Sequence, residues 1–166
     1  MRRALIAVAA AALVGACADG SPTTPDVSGL QDAGATAAAT AFPEQDQGGR
    51  LLTAVMTGAD EAPGPGDPDG TGTARFTLNA GQEEVCYALT VTGIAPATAA
   101  HIHIAPPGEP GPVVVPLAPP TEGSSQGCAS ASRELILDIL RAPQAYYVNV
   151  HNADFPAGAV RGQLSK

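Results

Sequence analysis

Seven short runs of alternating apolar and polar residues, each closed by Gly, Pro or Asp, constrain this chain more than any other feature. Side chains on a strand alternate between its two faces, so a run of this kind buries one face and wets the other. In "GTARFTL", Ala74, Phe76 and Leu78 share one face, and Thr73, Arg75 and Thr77 share the other. "EVCYALTVTG" repeats the pattern with Val85, Tyr87, Leu89 and Val91 inward. "LLTAVMT" precedes these runs, and "TAAHIHIA", "PVVVPL", "YYVNV" and "AVRGQL" follow them. Strand-like runs with no intervening helices exclude a parallel βαβ sheet and predict antiparallel pairing.

One segment has a different period. "SASRELILDILRAP" places Leu135, Ile136, Ile139 and Leu140 at helical spacing, with Ser132 as N-cap and Pro143 as stop. The expected fold is therefore an all-β antiparallel sandwich, Greek-key, immunoglobulin-like or superoxide-dismutase-like, with one short helix.

The ends set the organisation. "MRRALIAVAAAALVGAC" carries two arginines, an apolar run from Ala4 to Val14 too short to span a bilayer, and small residues before Cys17. It reads as a secretion signal over residues 1–16, and "VGAC" resembles a bacterial lipobox, in which the cysteine thiol carries lipid. Residues 17–49, rich in Ala, Thr and Pro, hold few large apolar side chains and read as a flexible tether. Residues 50–166 form one domain. The expected localisation is the bacterial cell envelope, with the membrane reached through the lipid on Cys17.

Charge narrows the partners. The chain carries a net −8, and loss of Arg2 and Arg3 with the leader makes it −10 (−8 minus two positive charges). An acidic chain without a basic stripe is a poor partner for nucleic acid. Cys86 and Cys128 remain once Cys17 is assigned to lipid, and outside the cytoplasm such a pair is expected to form a structural disulfide.

Three blocks, "MTGADEAPGPGDPDGTGTARFTLN", "VCYALTVTGIAPATAAHIHIAPPGEPGPVVVPL" and "AYYVNVHNADFPAGAVRGQL", resemble the signature blocks of the CHRD domain, the module first described in chordin. The family pattern implies a β-sandwich and carries no general reaction. Its Glu, His-x-His, His and Arg-Gly-Gln-Leu positions fall here on Glu61, His101, His103, His151 and Arg161 to Leu164. Ile104 departs from the pattern, where a bulkier or basic residue is expected.

The histidines are the candidate site. His101 and His103 share one face of their strand, and Tyr147, Asn149 and His151 share one side of theirs. Three imidazoles from two strands suit Cu(II) or Zn(II) and leave a position open. The arrangement resembles the copper strand pair of Cu/Zn superoxide dismutase, but the loop after His103 offers no further histidine for a second metal. The other reading is architectural: the imidazoles bond Glu61, Asn149 or backbone groups and hold the loop "APPGEPGP" against the sheet. Glu61 fits as a fourth ligand or as the acceptor fixing a histidine tautomer. Arg161 would neutralise Glu61, a bound anion or a surface carboxylate.

Two other motifs carry no site. "GSSQG" fits a nucleophile-elbow pattern around Ser125 but lacks the α/β context and reads as a polar turn. "DPDG" lacks the further ligands of a calcium loop and reads as turn chemistry. The expected function is non-catalytic binding or structural display toward a protein or glycan partner, with mononuclear copper or zinc binding as the alternative. A redox enzyme would need copper turnover in addition.

Overall fold

The computed structural model describes residues 49–166. The expected leader, Cys17 and all but the last residue of the expected tether lie outside them.

Eight strands form one antiparallel sheet. They are β1 (Arg50–Thr57), β2 (Thr71–Asn79), β3 (Glu84–Thr92), β4 (Ala97–Ile104), β5 (Val113–Leu117), β6 (Ser124–Ser130), β7 (Tyr146–Asn152) and β8 (Val160–Gln163). Their spatial order is β5-β4-β7-β8-β1-β2-β3-β6. The chain builds β1-β2-β3 as a meander, crosses to lay down the β4-β5 hairpin, returns to add β6 beside β3, and crosses again for β7 and β8. The sheet thus has two halves, β1-β2-β3-β6 and β5-β4-β7-β8, joined where Thr57 pairs with Arg161 and Thr53 bridges to Ser165. It also curls on itself. The residue after β5, Ala118, donates its N–H to the Tyr87 hydroxyl on β3 at 2.7 Å and accepts from Ser125 Oγ on β6 at 2.8 Å.

The inward faces make the core. Leu52, Met56, Phe76, Leu78, Val85 and Leu89 from one half meet Ile102, Val115, Val148 and Val150 from the other. These are the positions the alternation selects, and each large aliphatic or aromatic side chain buried this way stabilises the fold by about 1.5–3 kcal/mol. The one α-helix among the described residues, α1 (Arg133–Arg141), buries Ile136 and Ile139, and Ser132 Oγ accepts the Leu135 N–H at 3.2 Å as its N-cap. Cys86 and Cys128 stand directly opposite each other on β3 and β6 and are joined as a disulfide. The link closes 42 residues of sequence separation, worth about 4 kcal/mol in the chain-entropy model.

β6 overturns one expectation. Ser124 to Gly127 lie in a strand, not in a polar turn. Its sequence gave no alternation because β6 is a sheet edge that presents no large apolar side chain. A Cβ at Gly127 would come within 3.1 Å of the Tyr87 hydroxyl, so a neighbour's ring covers the position. Asp67 to Gly70 do form a turn, closed by Asp67 Oδ1 accepting from Asp69 N–H and by Gly70 N–H donating to Asp67 O.

Candidate functional site: the outer face of β4, β7 and β8

β4 and β7 pair in register, setting His101 opposite Asn149, His103 opposite Tyr147 and Ala99 opposite His151. Strand parity sends Ile102, Val148 and Val150 to the core and leaves His101, His103, Tyr147, Asn149 and His151 on the outer face. That outer face is not wet. His103, Tyr147, Asn149 and Arg161 are buried, and His101 and His151 are half-buried, because the loops after β4 and β7 fold back over them.

Backbone carbonyls orient two of the three rings. His103 Nδ1 lies 2.8 Å from Gly111 O, and His151 Nδ1 lies 3.1 Å from Pro156 O. A carbonyl can only accept, so each Nδ1 carries its proton and each Nε2 presents a lone pair. His103 Nε2 is buried with no hydrogen-bond partner. His151 Nε2 is 3.3 Å from His101 Nδ1. One ligand nitrogen from each of the three rings lies within 4.8 Å of the others. Burial, reinforced by the other two imidazoles, holds His101 below the ordinary histidine pKa. Burial does the same for His151, helped by His103 and opposed by the Pro156 carbonyl. Both rings are thus kept neutral.

A second layer racks the first. The Tyr147 ring stacks on His103 with centroids 4.7 Å apart and planes 7° apart, and the Arg161 guanidinium sits 3.5 Å over the other face of Tyr147. Arg161, 1% exposed, donates to Glu109 O at 2.8 Å, to Pro106 O at 2.9 Å and to Gln163 Oε1 at 3.2 Å. Gln163 Nε2 donates to Ala105 O at 2.8 Å. The loop "APPGEPGP" is therefore clamped from below along its length. Arg161 directs its hydrogen bonds to loop carbonyls and to Gln163, and its charge also acts on Glu61. The Gly162 that follows it is required by close packing: a Cβ there would lie 2.2 Å from Val55 O on β1.

Glu61 stands apart from the nitrogens. It is 9% exposed, it is absent from the group of mutually close ligand atoms, and backbone carbonyls fix the two histidine tautomers in its place. Gly158 explains its position: with φ at +146°, this residue leaves the space in which a Cβ would meet Glu61 Oε1 at 2.3 Å. Glu61 Oε1 is buried with no hydrogen-bond partner. Burial raises its pKa from 4.5 to about 7, against the pull of the Arg161 charge.

A second group of close donors, Glu84, Cys86 and Cys128, offers no thiolate because the two sulfurs are bonded to each other. Ser125 Oγ is spent on Ala118 O. Sequence reasoning did not assign roles to Tyr147 and Gln163. The usable signal was a tyrosine whose parity points away from the core beside two histidines.

The model of the CHRD domain matches residues 52–164. Comparison with curated proteins returns no match, and comparison with solved structures returns none.

Proposed function

The chain belongs to the CHRD domain family, and from that membership and the histidine face we propose a non-catalytic binding module of the bacterial cell envelope that holds one copper or zinc ion through His101, His103 and His151. One observation carries the reading: a buried His103 Nε2 without a partner points into a cluster whose other two rings present nitrogens 3.3 Å apart. Bonds of about 2.0–2.1 Å in tetrahedral geometry put neighbouring ligand nitrogens roughly 3.3–3.4 Å apart. The carbonyl hydrogen bonds at Gly111 and Pro156 are the outer-shell partners that metal-bound histidines require. Three neutral imidazoles suit Zn(II) and Cu(II), and would act as ligands that leave the ion's charge uncompensated.

Thermal melting of metal-stripped protein during titration with Cu(II) and Zn(II), beside His103→Ala, tests this. Stabilisation near one equivalent, lost in the variant, is expected. No shift in the wild-type protein, with the variant merely less stable, would leave the histidines as struts for the loop. In that case the clamped 105–112 loop becomes a rigid platform for a protein or glycan partner. Anchoring through a lipid on Cys17 rests on the "VGAC" motif alone. Release of Cys17→Ser from the membrane fraction is expected, and retention of the variant would remove the anchor from the reading.

A further inference from the structure

Glu84 and Cys86 alternate with the buried Val85 and Tyr87, so both point outward from β3, and Cys128 faces Cys86 from β6. Glu84 and Cys86 are half-buried and Cys128 is exposed, on a strand that is an edge of the sheet. Glu84 Oε2 lies 3.5 Å from Cys86 Sγ. That contact is not a hydrogen bond, because a disulfide sulfur carries no proton and an ionised carboxylate has none to give. One ligand atom from each of Glu84, Cys86 and Cys128 lies within 4.8 Å of the others. The disulfide therefore carries a carboxylate oxygen beside it that its own bonding does not use.

Reduction turns this group into a donor set. A small dithiol reaches Cys128 from solvent and transfers two electrons and two protons to the S–S bond, leaving two protein thiols and its own disulfide. The ladder that pairs β3 with β6 from Glu84↔Ser130 to Thr90↔Ser124 keeps the two freed side chains opposite each other. A divalent ion then displaces both thiol protons to solvent. Bonds of about 2.3 Å to sulfur and 2.0–2.2 Å to oxygen put the two sulfurs of a tetrahedral ion roughly 3.8 Å apart, and a sulfur and an oxygen roughly 3.6 Å apart. The sulfur–oxygen spacing already stands at 3.5 Å, and rotation about the two Cα–Cβ bonds parts the sulfurs. We propose that Cys86 and Cys128, once reduced, form with Glu84 a Zn(II) site of two thiolates and one carboxylate, open to water at the fourth position. The site is separate from the histidine face and does not rest on that reading. Zinc there replaces the disulfide as the link between β3 and β6, so the reduced chain remains stapled where zinc is present.

Co(II) is the probe, because thiolate ligands add a sulfur-to-cobalt charge-transfer band that imidazoles do not give. The protein carries Cys17→Ser, so that Cys86 and Cys128 are its only cysteines. After reduction with a phosphine it is expected to show the band, saturating at one Co(II) per chain and lost on addition of Zn(II), whereas the oxidised protein shows none. Glu84→Ala is expected to weaken Co(II) binding to the reduced chain by at least about 10-fold. Reduced His103→Ala is expected to keep the band unchanged, which sets it apart from the histidine face. A reduced protein without the band, saturation at half an equivalent as for an ion bridging two chains, or wild-type affinity in Glu84→Ala overturns the site. Should reduction unfold the chain, circular dichroism decides: recovery of the β-sheet spectrum with Zn(II) supports the link, and a chain that stays unfolded with Zn(II) overturns it.

Discussion

The two halves of the sheet share a core and differ on their outer faces. On β1-β2-β3-β6 the outer face is ordinary: Thr71, Thr73, Arg75, Thr90 and Thr92 are exposed, and a covalent bond between β3 and β6 secures the edge. On β4, β7 and β8 the outward positions include His101, His103, Tyr147, Asn149, His151 and Arg161, all of them buried or half-buried beneath two Gly/Pro-rich loops. Burying polar groups on a face that could have been left wet costs stability unless each finds a partner. Here nearly all do, and the partnerless atoms, His103 Nε2 and Glu61 Oε1 among them, include a nitrogen of the proposed metal centre. One half is stapled for stability, and the other is organised around the proposed site.

Cutting the staple sharpens that contrast most. Cys86→Ala/Cys128→Ala is expected to lose on the order of 4 kcal/mol in urea denaturation. Its zinc affinity in the folded state should change by no more than about twofold, as distant sites add independently; a large loss of affinity would mean that the halves are not separable. Next comes Arg161→Met, which leaves the carbonyls of Pro106 and Glu109 unpaired and uncovers Tyr147. A loss on the order of 3 kcal/mol is expected, together with weaker zinc binding as the His103 rack loosens, and unchanged binding would detach the second layer from the first.

Glu61 and the histidines act on stability with opposite signs. The folded Glu61 keeps its proton up to about pH 7, against 4.5 for the ordinary carboxyl. Folded protein therefore binds more protons in that window, and stability falls as pH rises through it. Glu61→Gln removes that slope and is expected to gain on the order of 2 kcal/mol above neutral pH in the metal-free protein. A variant less stable than wild type at alkaline pH would contradict this. His101 and His151, held neutral by burial, titrate first in the unfolded chain. Their contribution is present above the ordinary histidine value of about 6.5 and is lost as pH falls below it. A metal held by the three histidines is expected to be released over the same acid range.

The smallest expected effect lies farthest from the site. Ser132→Ala removes the α1 cap for about 1 kcal/mol with no change in metal affinity. Any change there would break the assignment of the site to β4, β7 and β8.

The core, the helix and the disulfide were legible because each is written locally: Phe76 and Leu78 by alternation, Ile136 and Ile139 by helical period, Cys86 and Cys128 by being the pair left over. β6 was not legible, because an edge strand covered by Tyr87 carries no apolar alternation. Parity put His101, His103, Tyr147, Asn149 and His151 on one face correctly. What strand parity could not supply was which groups the loops bring back. The Gly111 and Pro156 carbonyls, the Arg161 clamp and the burial of Glu61 against Gly158 all depend on where a Gly/Pro chain returns, and sequence spacing does not record that.

X-ray absorption fine structure of the zinc-loaded protein tests the central claim most directly. Four nitrogen or oxygen scatterers at about 2.0–2.1 Å, with the outer-shell pattern of three imidazoles, is the result expected of an ion held by His101, His103 and His151. A six-coordinate oxygen shell without imidazole scattering would contradict it and return the histidines to the loop they support.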